Sequence, residues 1–230
     1  MRILSIGKEI VYHDLDIVNI AASQLSEHDD IETYDYVIIN GGDGTIRRVL
    51  NQLHTLNVQP IFILNPTGSF NVVAKIHQAP KIETVLQMLA GGEKPAIQKH
   101  HIFRLNDQLF LFSAGNMGDL QHIFLSETLR FGWLKHGITK YLLAVLFLLP
   151  VHLTMTPFML FSKTRFFIFT PARFLGRIGN FYGDVPPRLS FDLDNEYNML
   201  ELDGDIVTIH GRHIEVSQAG SVQVVTQKRD

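Results

Sequence analysis

Cysteine is absent from the 230 residues, so disulfides and thiolate-bound zinc are excluded. A basic excess is missing too: 20 Lys and Arg stand against 23 Asp and Glu, for a net charge of −3. Nucleic-acid binders usually carry the opposite balance, so no nucleic acid is expected as a partner. There is no Walker loop, because Gly7-Lys8 lacks both the upstream glycine and the following Ser or Thr, and no G-x-G-x-x-G fingerprint occurs. Repeats and low-complexity tracts are absent. Long apolar runs are scarce: the nearest to a membrane span is Tyr141 to Phe161, and its unbroken stretch ends at Leu149 before Pro150 and His152. A spanning helix needs about 20 predominantly apolar residues, so this segment reads as a buried helix followed by a strand. The opening MRILSIGKEI has one Arg and is cut by Gly7, Lys8 and Glu9, which suits a buried first strand better than a signal peptide. These traits fit a cytoplasmic protein.

What is present is a chain of 46% hydrophobic and 19% charged residues, enough for a sizeable core in one large or two small domains. Ile3 to Ile6, Tyr36 to Ile39 and Ile61 to Leu64 read as strands. Between them, Ile17, Ile20, Ala21 and Leu25, and then Ile46, Val49, Leu50 and Leu53, recur at helical spacing. VVAKI after Asn71 and Ile82, Val85, Leu86 and Leu89 read as further helices, the last stopped at Gly91-Gly92. Strands alternating with helices predict an α/β fold with a parallel sheet. After GGEKP the character changes. A hairpin is expected over Ile102 to Phe112, one helical region over Gly132 to Leu149, and strands at FFIFT, MLEL, IVTIH, HIEVS and VQVVT. The expected division is 1–93, an α/β domain holding a glycine loop, and 94–230, a β-rich, mainly antiparallel domain.

The glycine loop is GGDGT, Gly41 to Thr45, between a strand and a helix. Glycine lets backbone N–H groups approach a ligand, and a helix start attracts anions, so a phosphate is the natural occupant. Thr45 can cap the helix, which is expected to begin near Ile46. Asp43 does not suit simple anion binding; it implies a metal, a ribose hydroxyl or a proton to handle. A second loop, Asn65 to Asn71, follows the next strand and offers Thr67, Gly68, Ser69 and Asn71. Two such loops on neighbouring parallel strands would form a ligand crevice.

These residues resemble a known family. GGDGT reached through YDYVII looks like the nucleotide-binding loop of the diacylglycerol kinase catalytic domain, whose superfamily includes bacterial lipid kinases and, more distantly, NAD kinases. Pro66, Gly68, Asn71 and Ala74 match that branch's second loop, and LELDGD, Leu200 to Asp205, resembles its late D-G-E motif with Asp205 in place of Glu. The resemblance implies a nucleotide-binding α/β domain joined to a β-rich domain, and an ATP- and Mg²⁺-dependent kinase of a lipid alcohol. In it Gly41, Gly42, Gly44 and Thr45 would hold the phosphates, with Thr67, Gly68, Ser69 and Asn71 closing over them. Asp43 would meet the nucleotide or its Mg²⁺, and Asp203 or Asp205 would take the lipid hydroxyl proton. On this reading Asp43→Ala abolishes turnover with little loss of folding.

The chain departs from the family pattern in several places. SIGKE replaces an early Asn-Pro loop, Arg47-Arg48 stand where an acid is common, and Phe70, where glycine is usual, could narrow the phosphate site. A catalytically impaired nucleotide- or lipid-binding relative is therefore an alternative, and an NAD-kinase-like enzyme a more distant one. Asp203-Gly204 is also a favoured hairpin pair, and both readings stand at this point. Phe147 to Leu149, Phe158 to Phe161 and Phe166 to Phe169 can line an acyl pocket or simply pack a core. Lys163, Arg165, Arg173 and Arg177 are candidates for a membrane-facing basic surface, peripheral to a bilayer. His210 and His213 could share a metal only if a turn falls at Gly211-Arg212. A homo-oligomer is compatible with all of this.

Overall fold

The computed structural model describes residues 1–28, 30–53, 59–68, 71–116, 157–158 and 160–227. The chain divides into two units, Met1–Phe112 with Gln218–Asp230, and Ser113–Ser217. The first holds β1 (Arg2–Ile6), β2 (Asp16–Ile20), β3 (Tyr36–Gly41), α1 (Asp43–Leu53), β4 (Ile61–Pro66), α2 (Val72–Ile76), α3 (Ile82–Ala90), β5 (Ile97–Leu105) and β6 (Gln108–Phe110). The second holds β7 (Ser113–Gly115), β8 (Phe167–Phe169), β9 (Arg177–Ile178), β10 (Phe181–Tyr182), β11 (Leu189–Asp192), β12 (Tyr197–Leu202) and β13 (Asp205–His210). The last strand, β14 (His213–Val225), starts in the second unit and ends in the first.

The first unit's sheet runs β2-β1-β3-β4-β14-β5-β6. β1 pairs in parallel with β2 and β3, β3 with β4, and β4 with β14. Every residue of β3 is buried, as a strand covered on both faces requires. One core cluster gathers Ile3, Ile38, Ile63, Val85, Leu86, Leu89 and Val225, so the end of β14 is part of the first unit's interior. The second unit's sheet runs β13-β12-β7-β8-β10-β9 and is antiparallel except where β8 meets β10. β11 pairs antiparallel with the start of β14, and Phe166 stacks on Phe191 with ring centroids 4.0 Å apart. The expected fold class, a mainly parallel α/β part followed by a mainly antiparallel β part, is what the chain adopts.

Local differences have physical causes. Asp16–Ile20 is a strand rather than the start of a helix: its β-branched Ile17, Val18 and Ile20 pair along β1. HIEVS and VQVVT are the two ends of a single strand. Its second half pairs with β4 through Val224 and Phe62, and β5 and β6 extend the same sheet. The first unit therefore continues to Phe112 and regains the terminus, instead of closing near residue 93 where the composition changes. α1 buries Ile46, Val49, Leu50 and Leu53 as their spacing predicts, and Arg47 with them. The apolar segment from Tyr141 to Phe161 falls almost wholly outside the described residues, as do the helix expected at 132–149 and Phe147 to Leu149. No helix among the described residues is long and apolar enough to cross a membrane.

The first unit also buries two imidazoles against each other. His77, just past α2, and His100, on β5, are 3% and 7% exposed, with Nε2 of His77 2.9 Å from Nδ1 of His100. Burial, then the neighbouring His77, lowers the His100 pKa to about 3. The unfolded chain would titrate this ring near 6.5, so below that pH the unfolded state binds a proton that the folded state refuses. The stability this group permits is complete above pH 6.5 and is lost as pH falls toward 3. Urea unfolding should show a decrease of about 1.4 kcal/mol per pH unit from this group between those values. The His100→Gln variant should show a correspondingly shallower acid slope, and equal slopes would contradict the assignment.

Candidate active site

The carboxyl ends of β1, β3 and β4 are tied by a polar chain. Asn65 Nδ2 donates to Asn40 Oδ1 at 2.7 Å, and Asn40 Nδ2 donates to Ser5 Oγ at 3.0 Å and to the Ile6 carbonyl at 2.9 Å. Ser5 Oγ donates in turn to the Lys8 carbonyl. In a sheet ordered β2-β1-β3-β4 the strand order reverses between β1 and β3, the position where open α/β sheets bind ligands. Buried amides there need partners, and these side chains supply them to one another. Ser5, Asn40 and Asn65 are additions to the expected site residues. The signal for them in the sequence is their place as polar residues in or ending otherwise apolar strands.

The two glycine turns meet. Gly41 lies opposite Pro66 in the β3–β4 register, and Thr67 N–H donates to the Gly41 carbonyl. A Cβ on Gly42 would stand 3.3 Å from the Gly68 Cα, and one on Gly68 would stand 2.8 Å from the Gly42 Cα. Only glycine permits that approach of two backbones. Gly41 is held equally closely by the Thr45 side chain. α1 begins at Asp43, three residues before Ile46, so Thr45 lies within its first turn and does not cap it. The N–H groups of Thr45 and Ile46 turn back to the Gly42 carbonyl. The amides of Asp43 and Gly44 head the helix with no intrahelical acceptor.

Asp43 has a role that its sequence context did not disclose. It is 7% exposed, and its Oδ2 and Oδ1 accept the N–H groups of Val72 at 2.7 Å and Val73 at 3.0 Å. These are the first two amides of α2, whose N-cap residue, Asn71, makes no side-chain cap. Asn71 instead turns left-handed at φ 48° and closes the second loop on itself: its Oδ1 accepts from Gly68 N–H and its Nδ2 donates to the Gly68 carbonyl. Asp43 thus clamps the start of α2 to the start of α1. Each carboxylate oxygen accepts one N–H of α2, which fixes the orientation of the Asp43 side chain. Ser69 and Phe70 lie outside the described residues.

In the second unit, Asp203 and Gly204 form the two-residue turn joining β12 to β13, with φ of 53° and 86°. Both values suit the hairpin turn that Asp-Gly favours. Asp203 is 4% exposed; its Oδ1 accepts Ser113 N–H at 3.1 Å, and its own N–H donates to the Ser113 carbonyl. Glu201 is an addition to the expected residues: its Oε1 accepts Ser113 Oγ at 3.0 Å and Gly204 N–H at 2.8 Å. Asp203 and Glu201 therefore shape the turn and fasten it to β7, while Asp205, half-buried, opens β13 opposite Leu202. His210 meets the Tyr197 ring edge-on, whereas His213 bonds Asp192, so the two rings serve different neighbours. Phe166 and Ile168 are core, but Phe158 and Phe161 are each 76% exposed and do not line an interior pocket. Arg165 donates to the Asn116 carbonyl and borders a cavity of about 230 Å³ with Asn116, Asn195 and Asn198, so it does not belong to an outer basic surface.

Residues 9–100 match the family model of the diacylglycerol kinase catalytic domain. The resemblance drawn from GGDGT is thereby borne out for that part of the chain; LELDGD lies beyond it. A protein of Streptococcus pneumoniae serotype 4 named "Putative lipid kinase" is 26% identical over 121 residues, 51% of this chain and 40% of that protein. The chain thus aligns with less than half of that relative's length. Two crystal structures from Bacillus anthracis str. Sterne, one titled a putative diacylglycerol kinase and the other a diacylglycerol kinase, align with TM-scores of 0.56 and 0.54. Each is 13% identical, and the alignments cover 98% of this chain and 97% of theirs, which shows a shared fold.

Proposed function

We propose that this chain is an ATP-dependent phosphotransferase acting on a lipid alcohol such as diacylglycerol. The observation that carries the reading is the Gly42–Gly68 contact, two backbones meeting where a family-matched nucleotide loop heads α1. In this role Gly41, Gly42 and Gly68 give the phosphates access to the backbone, and the Asp43 and Gly44 amides donate to them. Thr45, Thr67 and Ser69 contribute hydroxyls, and Asn71 holds the second turn in shape. A Mg²⁺ carried by the nucleotide would neutralise phosphate charge. Phosphoryl transfer is mostly positioning: the lipid hydroxyl oxygen attacks the terminal phosphorus, the bond to ADP breaks, and the hydroxyl proton passes to a carboxylate. Asp205 is the carboxylate assigned to that proton, with Asp203 and Glu201 positioning its turn.

Labelled terminal phosphate of ATP should appear in lipid when the full chain is given mixed lipid alcohols with Mg²⁺, and not in NAD. Label in NAD alone, or in neither acceptor, contradicts the proposal. Asp205→Asn should slow transfer by ~10²-fold, the scale of a lost or misplaced catalytic group, with ATP affinity unchanged. An unchanged rate would leave Asp205 as an ordinary strand residue. A second reading, nucleotide binding without turnover, is favoured by the commitment of both Asp43 oxygens to α2. ATP binding by a chain that labels no lipid is its signature.

A further inference from the structure

The second unit carries an exposed apolar surface that the proposed chemistry does not use. Phe158, Phe161 and Phe174 are 76%, 76% and 85% exposed, and Leu175 and Ile178 are 44% and 45% exposed. Arg173 to Ile178 is an unbroken exposed run. The segments that present these side chains are packed backbone to backbone. Asn180 N–H donates to the Leu160 carbonyl at 2.8 Å, and Gly183 N–H donates to the Gly176 carbonyl at 2.7 Å. A Cβ on Gly179 would collide with the Leu160 carbonyl, and one on Gly183 with the Ala172 carbonyl. The exposed side chains of this apolar patch are carried on segments tied to one another through their backbones.

The charge around this patch is opposite to that of the whole chain. From Pro157 to Asp184 there are four basic residues, Lys163, Arg165, Arg173 and Arg177, and one acidic residue, Asp184, in a protein of net charge −3. Arg165 is turned to the Asn116 carbonyl, but Lys163, Arg173 and Arg177, in the same stretch as the exposed aromatics, are themselves exposed. Arg177 is fixed there, its guanidinium 4.9 Å from the Tyr182 ring centroid and its Nε donating to the Gly179 carbonyl. Arg173 pairs with Asp184 at 2.9 Å.

We propose that this patch docks the protein on an anionic lipid bilayer, with the phenylalanines entering the acyl boundary and the basic residues meeting phosphate headgroups. Apolar side chains rimmed by cations are the composition that binds an anionic interface. A second copy of the chain fits less well, because a two-fold contact would set the same basic rim against itself. The inference rests on the lipid-kinase reading for its purpose, since it brings the protein to a lipid acceptor, but it can be measured without nucleotide or turnover.

The test is flotation of the full chain with vesicles of phosphatidylcholine alone and of phosphatidylcholine with phosphatidylglycerol. The wild type should partition at least tenfold more strongly onto the anionic vesicles. F158S/F161S/F174S should lose at least tenfold of that binding at an unchanged thermal midpoint. K163Q/R177Q should lose the preference for anionic lipid. Three outcomes would overturn the proposal: no vesicle binding by the wild type, full binding by the triple phenylalanine variant, or a wild-type dimer that this variant converts to monomer. Phosphate transfer to detergent-dispersed lipid, run beside it, separates failure of docking from failure of the kinase reading.

Discussion

Asp43→Ala is expected to unfold at lower temperature as well as to abolish phosphate transfer. The carboxylate is buried and receives two backbone N–H groups, from Val72 and Val73, that the N-cap side chain of α2 leaves uncapped. Hydrogen bonds to a charged acceptor contribute about 1.5–3 kcal/mol each, and stranding their donors adds desolvation. A loss of at least about 3 kcal/mol follows, or roughly 10 °C or more in the melting midpoint for a chain of this size. Transfer should fall by ~10²-fold or more, because α2 and the Gly68 turn would no longer be registered on α1. Asp43→Asn keeps one acceptor and sets an amide N–H against a backbone donor, so it should recover only part of the stability. If Asp43 acted solely on the nucleotide, the alanine variant would melt like the wild type. The expectation from sequence, that the substitution leaves folding nearly intact, is replaced by a loss on both counts.

Gly68→Ala should have the second large effect. Its Cβ would lie 2.8 Å from the Gly42 Cα and 2.9 Å from Asn71 Oδ1, and the first of these is backbone that cannot rotate away. The two turns must separate, at a cost of about 1–3 kcal/mol for overpacking. A displacement of about 1 Å at a phosphate site can cost ~10²-fold in rate. ATP titration and thermal melting of Gly68→Ala, beside Gly91→Ala as a control, would measure both effects. Gly91 ends α3 at φ −75°, and its Cβ would have only ordinary contacts at 3.5 Å, so that variant should behave as wild type. Equal ATP affinity in the two variants would contradict the role given to the Gly42–Gly68 contact.

Much of this arrangement was legible in the sequence because it is local. Strand-to-helix alternation is enough to place Gly41 and Gly68 at the same end of a sheet, and the neighbouring strands follow from it. α1, α3 and the β5–β6 hairpin carry their own periodicity and stop signals. What was not legible depends on segments distant in the chain. Asp43 finds its partners at Val72 and Val73, about thirty residues on, and no spacing rule announces that. Asp16–Ile20 carries apolar residues that fit a helix as well as a strand until β1 is beside it. The domain limits depend on β14 returning to β4, which the short runs HIEVS and VQVVT read separately do not show. Phe158 and Phe161 suggest a core by composition, and only the fold leaves them outside.

In the proposed function, nucleotide is bound by the paired turns at Gly41–Thr45 and Pro66–Gly68. Backbone amide resonances of the ¹⁵N-labelled full chain, followed while ATP is added, test it most directly. Saturating shifts at Gly42, Asp43, Gly44, Thr67 and Gly68 are expected. An ATP titration that leaves those amides unmoved, or moves instead the residues around the Asn116–Asn198 cavity, would contradict it.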